Sequence, residues 1–445
     1  MYMKIVIVGT NHAGIAAANT LLENTDHEIV LIDKNSNISY LGAGTALWVG
    51  GQVDDYEGLF YTNPEEMGSK GARMMMETDI ERVDFENKTV YGITVEGEKV
   101  EEPYDKLILA TGANPIAPNL PGKDLDGIHF LKLFQDGQAV QADLDRPDVK
   151  RVGVIGAGYI GVEIAEALRL RGKEVLLFDA EPTSLSSYYD PEFSKLMDEN
   201  LEENGLELHF GELAQEYLGD ENGRVNGIVS NKGTYEVDMV VNAIGFRPNS
   251  ELGKDHLDVF VNGAYLVDDY QRTSDPDVYA VGDCATIYSN ALDKVSYIAL
   301  ASNAVRSGIV GGQNAGGKEV KGIGAQGSNA ISIFGLNLVS TGYSLKSAAK
   351  FGLEVDYVDH RDLQRAACMK ENDEVMIRIV YEKGSRRIVG AQLAAHMDIS
   401  MVIHMFSLAI QERVTIDSMK YLDTFYLPHF NQPYNYITSA AMKAK

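Results

Sequence analysis

Two stretches far apart in the chain repeat one design. Residues 4–33 read KIVIVGTNHAGIAAANTLLENTDHEIVLID, and residues 151–179 read RVGVIGAGYIGVEIAEALRLRGKEVLLFD. Each is a β-branched run, a glycine turn, an Ala/Leu-rich helical stretch and a second apolar run ending in aspartate. That is the strand–helix–strand unit of a parallel sheet. First glycine and acid lie 24 residues apart in one unit (Gly9 to Asp33) and 23 in the other (Gly156 to Asp179). A second echo follows each unit: YDKLILATGANP at 104–115 and VDMVVNAIGFRPN at 237–249. The repeat predicts two Rossmann-like dinucleotide-binding domains in an α/β chain.

Glycine and proline punctuate the rest. PIAPNLPG at 115–122 predicts a linker into the second unit, and 245–249 a return from it. A glycine-rich stretch near 311–328 precedes a change of pattern. After it, strands are expected near 330–340, 353–358, 375–381 and 387–394, then helices near 397–412 and 415–421. The expected division is a discontinuous first nucleotide-binding domain at 1–118 and 246–322, a second at 119–245 and a C-terminal α+β domain at 323–445.

Charge narrows the partners. With 39 Lys and Arg against 65 Asp and Glu, the formal net charge is −26. Nucleic acid and anionic membrane need basic surface and are excluded as expected partners. An anionic cofactor must then find its positive potential locally. Only Cys284 and Cys368 occur, and they form no CxxC pair, so neither a disulfide framework nor a cysteine zinc site is expected, nor any other metal. The composition suits a reducing cytoplasm. The first residues are too glycine-bound for a signal peptide. The most apolar window, Ala391 to Ile410, contains Asp398 and two histidines and reads as a buried helix rather than a membrane span.

The second glycine motif is the complete one: Gly156-x-Gly158-x-x-Gly161, with Glu163 two residues on. Gly156 permits a tight turn, Gly158 lets backbone approach a pyrophosphate, and Gly161 lets helix pack on strand. The helix N-terminus supplies the local positive potential. Asp179 can accept from a ribose 2′-hydroxyl and would repel a 2′-phosphate, which favours NADH over NADPH. The first motif is imperfect, Gly9-x-Asn11-x-x-Gly14, with His12 and Ala13 inside it. Three features support it: Asp33, followed by Lys34, in the ribose position; Ala110-Thr111-Gly112-Ala113 closing a strand; and an exposed Gly282-Asp283 suited to a flavin's ribityl hydroxyls.

These motifs identify a resemblance along the whole chain to the pyridine nucleotide–disulfide reductase superfamily. It is carried by GTNHAG at 9–14, GAGYIGVEIAEA at 156–167, GFRPN at 245–249 and TSDPDVYAVGD at 273–283, with ALASNAVRSG at 299–308 and FYLPHFNQPYN at 425–435. The last two resemble the branch containing water-forming NADH oxidase, NADH peroxidase and coenzyme A-disulfide reductase. Within it, SYLGAGTALWVGG at 39–51 is most similar to the NADH oxidases. The resemblance implies FAD bound by the domain at 1–118 and 246–322, NADH as reductant bound by the domain at 119–245, oxygen or peroxide as acceptor, and a homodimer, with 323–445 as its dimerisation domain. It implies that Ile160, Tyr188, Gly245, Ala299, Leu300 and Ala330 line the NADH side and that Lys132 and Ala301 touch FAD. Tyr159 becomes a lid over the flavin and Glu163 a partner of the nicotinamide amide. Phe425 to Tyr436, with His429, would reach the partner subunit's active site.

One departure matters most. The branch has a redox cysteine in a pattern similar to SFLxCG, which aligns here with Ser39 to Gly44 and puts Ala43 in the cysteine's place. A replacement in an intact oxidase and a natural cysteine-free relative both fit. Alanine has no nucleophile and no redox chemistry. Cys284 reads as a small buried hydrophobe and Cys368 as an incidental thiol. His12, opening the first helix, is then the polar candidate at the reaction centre. The expected activity is oxidation of NADH by oxygen that stops at hydrogen peroxide. A peroxidase or disulfide reductase would lack its nucleophile, and an NADH-sensing flavoprotein is the alternative from another class.

Overall fold

The computed structural model describes residues 2–445. The two repeated units build two sheets of one topology. In the first, Lys4–Val8 is central, with Glu28–Ile32 and then Arg73–Met75 on one side and Lys106–Leu109 and then Val278–Ala280 on the other. In the second, Arg151–Ile155 is central, flanked by Glu174–Asp179 and Glu207–Phe210 and, opposite, by Met239–Asn242 and Ile128–Phe130. All eight pairings are parallel. Parallel strands are covered on both faces, which is why they read as unbroken apolar runs rather than alternating ones. Ile5, Val6, Ile7, Val152 and Val154 are fully buried. The pairing of Val278–Ala280 with Lys106–Leu109 returns the chain to the first sheet after the second is complete.

The C-terminal part is an antiparallel sheet ordered Asn329–Ile333, Leu336–Gly342, Ile388–Ala395, Glu374–Glu382, Val355–Leu363. Three expectations are corrected here. The strand expected over 330–340 is a hairpin, because Phe334 and Gly335 both take positive φ (45° and 84°) and reverse the chain. The run Ala391 to Ile410 is the end of a strand followed by a separate helix, Ser400–Gln411, whose Met401 and Leu408 are exposed. The helix expected at 415–421 is one turn, Ile416–Met419, while Tyr436–Met442 forms a further helix, opened by Asn435, whose side chain accepts from Ile437 N.

A buried ion cluster fastens this sheet to the second Rossmann unit. Arg378 is 2% exposed and pairs with Asp190 (3.1 Å), Glu192 (2.9 Å) and Asp359 (2.8 Å). Gln392 also donates to Asp190 (2.8 Å). A buried guanidinium without such partners would be strongly destabilising. The cluster therefore fixes the segment that carries Tyr188 and Tyr189.

Candidate active site

The two glycine turns have one geometry. Gly9 has φ +103° and Gly156 φ +102°. The N–H of Gly9 donates to Ile32 O (2.9 Å), and that of Gly156 to Phe178 O (2.7 Å). A Cβ on Gly9 would stand 2.2 Å from Ala110 O, and one on Gly156 2.5 Å from Ala243 O. At Gly14 and Gly161 it would stand 1.9 and 1.8 Å from the carbonyl oxygens of Gly9 and Gly156. The acids match too. Asp33 accepts from Thr10 N (2.8 Å), and Asp179 from Ala157 N (2.6 Å), so each carboxylate holds the turn it follows.

Asn11 is therefore no defect. Its backbone is extended (φ −94°, ψ −158°), as is that of Gly158 (φ −75°, ψ −170°), and any residue adopts that conformation. Neither residue caps its helix with a side chain. The first-turn N–H groups of His12–Asn24 and Tyr159–Leu170 point at a common kind of ligand, an anion such as a pyrophosphate. The backbone at Gly158 faces clear space, with no atom within 4 Å of where a Cβ would stand. Both cradles fit a dinucleotide.

Between the turns lies a polar junction. Lys132 Nζ reaches Asp283 Oδ2 (3.3 Å) and lies 4.7 Å over the ring of Phe246. Gly282 N donates to Ser307 Oγ (3.0 Å), and Tyr297 OH to Asp283 O (2.8 Å). Thr111 Oγ1 donates to Asn249 O (2.5 Å), while Asn249 donates back to Thr111 O. His12 Nδ1 is 3.2 Å from Tyr61 OH, with the two rings parallel within 9°. Burial lowers the pKa of His12; Asp283 opposes this and Lys132 adds to it. The imidazole is accordingly neutral at pH 7 and able to donate or accept a proton in a hydrogen bond.

A cavity of about 300 Å3 brings together Ala43, Glu163 and Ala330 with Glu166, Ile331 and Asp398. Ala43 is exposed on its wall, in the single turn Gly42–Gly44 that precedes the helix Thr45–Val49. Glu163 has no hydrogen-bond partner among the described residues. Burial first, and the neighbouring Glu166 carboxylate second, push it up to about 7. Glu166 accepts from Phe334 N (2.6 Å). An acid with a raised pKa in the fold destabilises the fold above its ordinary pKa and does so fully above its raised one. Glu163→Gln should thus raise the melting temperature at pH 8 and leave it nearly unchanged at pH 4. Calorimetry at the two pH values checks this; equal shifts at both contradict it.

Tyr159 and Tyr188 meet edge to face, ring centres 4.6 Å apart. Tyr159 OH bonds Tyr189 OH (2.8 Å) and Asn329 Oδ1, and Ser340 Oγ donates to the same oxygen (3.0 Å). Ile160 is half-buried beside Tyr159 at the helix start. Ala299 and Ala301 are exposed on either side of Leu300, at the uncapped start of the helix Ala301–Ala315. Gly112 and Gly245 have positive φ and clear space around them, and Ala113 is buried. Lys34 is exposed and contacts no acid. Phe425, Phe430 and Tyr434 are 60–77% exposed on the C-terminal part. Cys284 is buried, its Sγ 3.3 Å from Leu109 O, and Cys368 is exposed. The residues that sequence reasoning missed are Tyr61, Glu166, Asp398 and Ser307. Tyr61 and Asp398 reach the site across the fold, whereas Glu166 and Ser307 lie inside the segments 156–167 and 299–308, at positions with no signature of their own.

The chain matches the family model for pyridine nucleotide-disulphide oxidoreductase over residues 3–308 and the dimerisation domain of the same family over 329–435. It belongs to that family. A Lactococcus lactis protein named NADH oxidase is 62% identical over 446 residues, covering 100% of both chains. A Streptococcus pyogenes NADH oxidase is 52% identical over 99% of each. The structure of a water-forming NADH oxidase from Lactobacillus brevis bound to NADH superposes with a TM-score of 0.96 at 36% identity, covering 99% of this chain and 97% of that one. No helix among the described residues is long and apolar enough to cross a membrane.

Proposed function

We propose that the chain is an FAD-dependent NADH oxidase that reduces oxygen to hydrogen peroxide, working as a homodimer. The observation that carries it is the pair of equivalent dinucleotide turns with a polar junction between them, where the Cys284 thiol is buried and position 43 offers none. The named relatives and the NADH-bound neighbour support the oxidase activity. Ala43 supports the peroxide product.

Gly9, Asn11, Gly14 and Asp33 would hold FAD at the first turn, with Thr111, Lys132 and Asp283 along its length. Gly156, Gly158, Gly161 and Asp179 would hold NADH at the second. Bound FAD supplies hydride acceptance from the nicotinamide and electron delivery to oxygen. The protein's part is binding, orientation and proton handling. Asp179 accepts from the ribose. Tyr159 and Tyr188 form a wall held by Tyr189 and Asn329. His12, neutral, presents a hydrogen bond to an oxygen species. In the homodimer, Phe425 to Tyr436, including His429, closes the partner's site.

Trp48, the chain's only tryptophan, reports on FAD directly. It lies on the short helix after Ala43 and stacks on Phe134 (ring centres 5.5 Å apart). Titrating apoprotein with FAD should quench its emission, with a break at one FAD per chain, by energy transfer to the flavin. Unchanged emission would show that no flavin binds beside this helix. The function itself is tested by oxygen uptake of the FAD-loaded protein on adding NADH; absence of uptake rejects it.

A further inference from the structure

Oxidation of NADH by oxygen consumes protons. NADH, O2 and one H+ give NAD+ and H2O2, so each turnover draws one proton from solvent. The hydride contributes two electrons and one proton, and peroxide needs two of each. Some group must carry the second proton into a site that a bound dinucleotide shields from water. His12 is engaged with Tyr61 (3.2 Å), and burial lowers its pKa, so near neutral pH the imidazole holds no extra proton to give.

The cavity beneath the C-terminal sheet answers this requirement. Its wall runs from Ala43 past Glu163 and Glu166 to Ser332, Asp398 and Ser400, and no Lys, Arg or His lines it. Glu163 stands one turn into the helix that begins at the dinucleotide turn. Its carboxyl is half-buried and hydrogen-bonded to nothing, although a buried charge ordinarily acquires a partner. Glu166 follows one turn later. That helix packs on Thr45–Val49, Arg151–Ile155, Glu174–Asp179 and Asn329–Ile333. The first and last bear no charge. Arg151 is paired at the far end of its strand with Glu207 (2.8 Å), and Asp179 is occupied at its own turn. Glu174, on the same strand as Asp179, lies beside Arg151 (3.8 Å), so Glu163 shares its cavity with two further carboxyls, Glu166 and Asp398, and no cation. This is the surrounding of a group kept able to hold a proton.

We propose, resting on the oxidase reading, that Glu163 is the proton donor of the reaction: its carboxyl gives up a proton as oxygen is reduced and recovers one from solvent through the cavity, by way of Glu166. The donor O–H bond breaks, the carboxylate is left, and an incoming solvent proton restores the acid; no electrons pass through the residue. The raised titration of Glu163, to about 7, places both forms within reach at neutral pH.

The test uses FAD-loaded protein in four forms: unmodified, Glu163→Gln, Glu163→Asp and Glu166→Gln. Infrared pH-difference spectra, recorded without NADH, should show protonated-carboxyl intensity titrating near pH 7 that is lost in Glu163→Gln, while Asp198, which burial raises to about 6, titrates below it in every form. In the unmodified protein kcat should fall as pH rises through about 7. Glu163→Gln should lose that limb and roughly 10²-fold in kcat, the lower end of what a positioned acid contributes. Glu163→Asp should recover part of both. Glu166→Gln should move the limb to lower pH, because a like charge is removed, and should lower kcat by slowing the proton's return; an unchanged kcat would take Glu166 out of the route. Undiminished carboxyl intensity near pH 7, or retention of the kcat limb, in Glu163→Gln overturns the proposal, as does a rise in KM alone, which would leave Glu163 as a nicotinamide contact only. No oxygen uptake by the unmodified protein would instead remove the oxidase reading, and the infrared band would still report the carboxyl.

Discussion

Asp179→Ala combined with Ala180→Arg should bring NADPH to within about tenfold of NADH, where the unmodified chain prefers NADH by at least about 10²-fold in kcat/KM. The carboxylate ends its strand at the second turn, where the ribose of a bound dinucleotide would lie. A 2′-phosphate there would place two anions in contact, which costs several kcal/mol, and each 1.4 kcal/mol is about tenfold. Asp179 also accepts from Ala157 N (2.6 Å) and Glu181 N (2.8 Å). Its removal loosens the turn, so both cofactors should bind less well in the variant. The diagnostic quantity is the ratio, measured from initial rates with each cofactor. Equal use of both by the unmodified chain would show that Asp179 does not face a ribose.

Ala43→Cys should change the product. A thiolate at this position would attack hydrogen peroxide, breaking the O–O bond, releasing one water and leaving a sulfenic acid. Two electrons from a second NADH would restore the thiol and release the second water. Peroxide release should drop from about one per NADH toward zero, and oxygen use from about one per NADH toward about half, since water formation takes four electrons and peroxide two. A dimedone adduct on the introduced thiol would mark the sulfenic acid. If Ala43 is merely a small residue packed beside the flavin, the stoichiometry will not move.

Much of this was legible in the chain because its determinants are local. Gly9, Gly14, Gly156 and Gly161 are required by backbone approaches below 3 Å, which no other side chain permits. Each turn and its acid lie within one strand–helix–strand unit, so spacing alone locates them. Asn11 looked like a defect because the motif is written in glycines, while the backbone there is extended and demands none. The hairpin at Phe334–Gly335 was missed because Phe334 at positive φ carries no turn signature of its own. Long-range pairs were beyond reach. The Tyr61 hydroxyl beside His12 and the cavity joining Glu163 to Asp398 depend on chain segments far apart in sequence. The Arg378 cluster is similar: a charged residue in a strand reads as exposed until Asp190 and Asp359 close over it.

Where oxygen's electrons end is the central question. An oxygen electrode holding the FAD-loaded, unmodified protein, NADH and air decides it, with catalase added once the NADH is spent. Peroxide as the end product predicts about one O2 consumed per NADH and the return of about half of that oxygen on adding catalase, because two peroxides yield one O2. Uptake of about half an O2 per NADH with no oxygen returned would mean that the chain makes water without a thiol at Ala43, and would contradict the central claim.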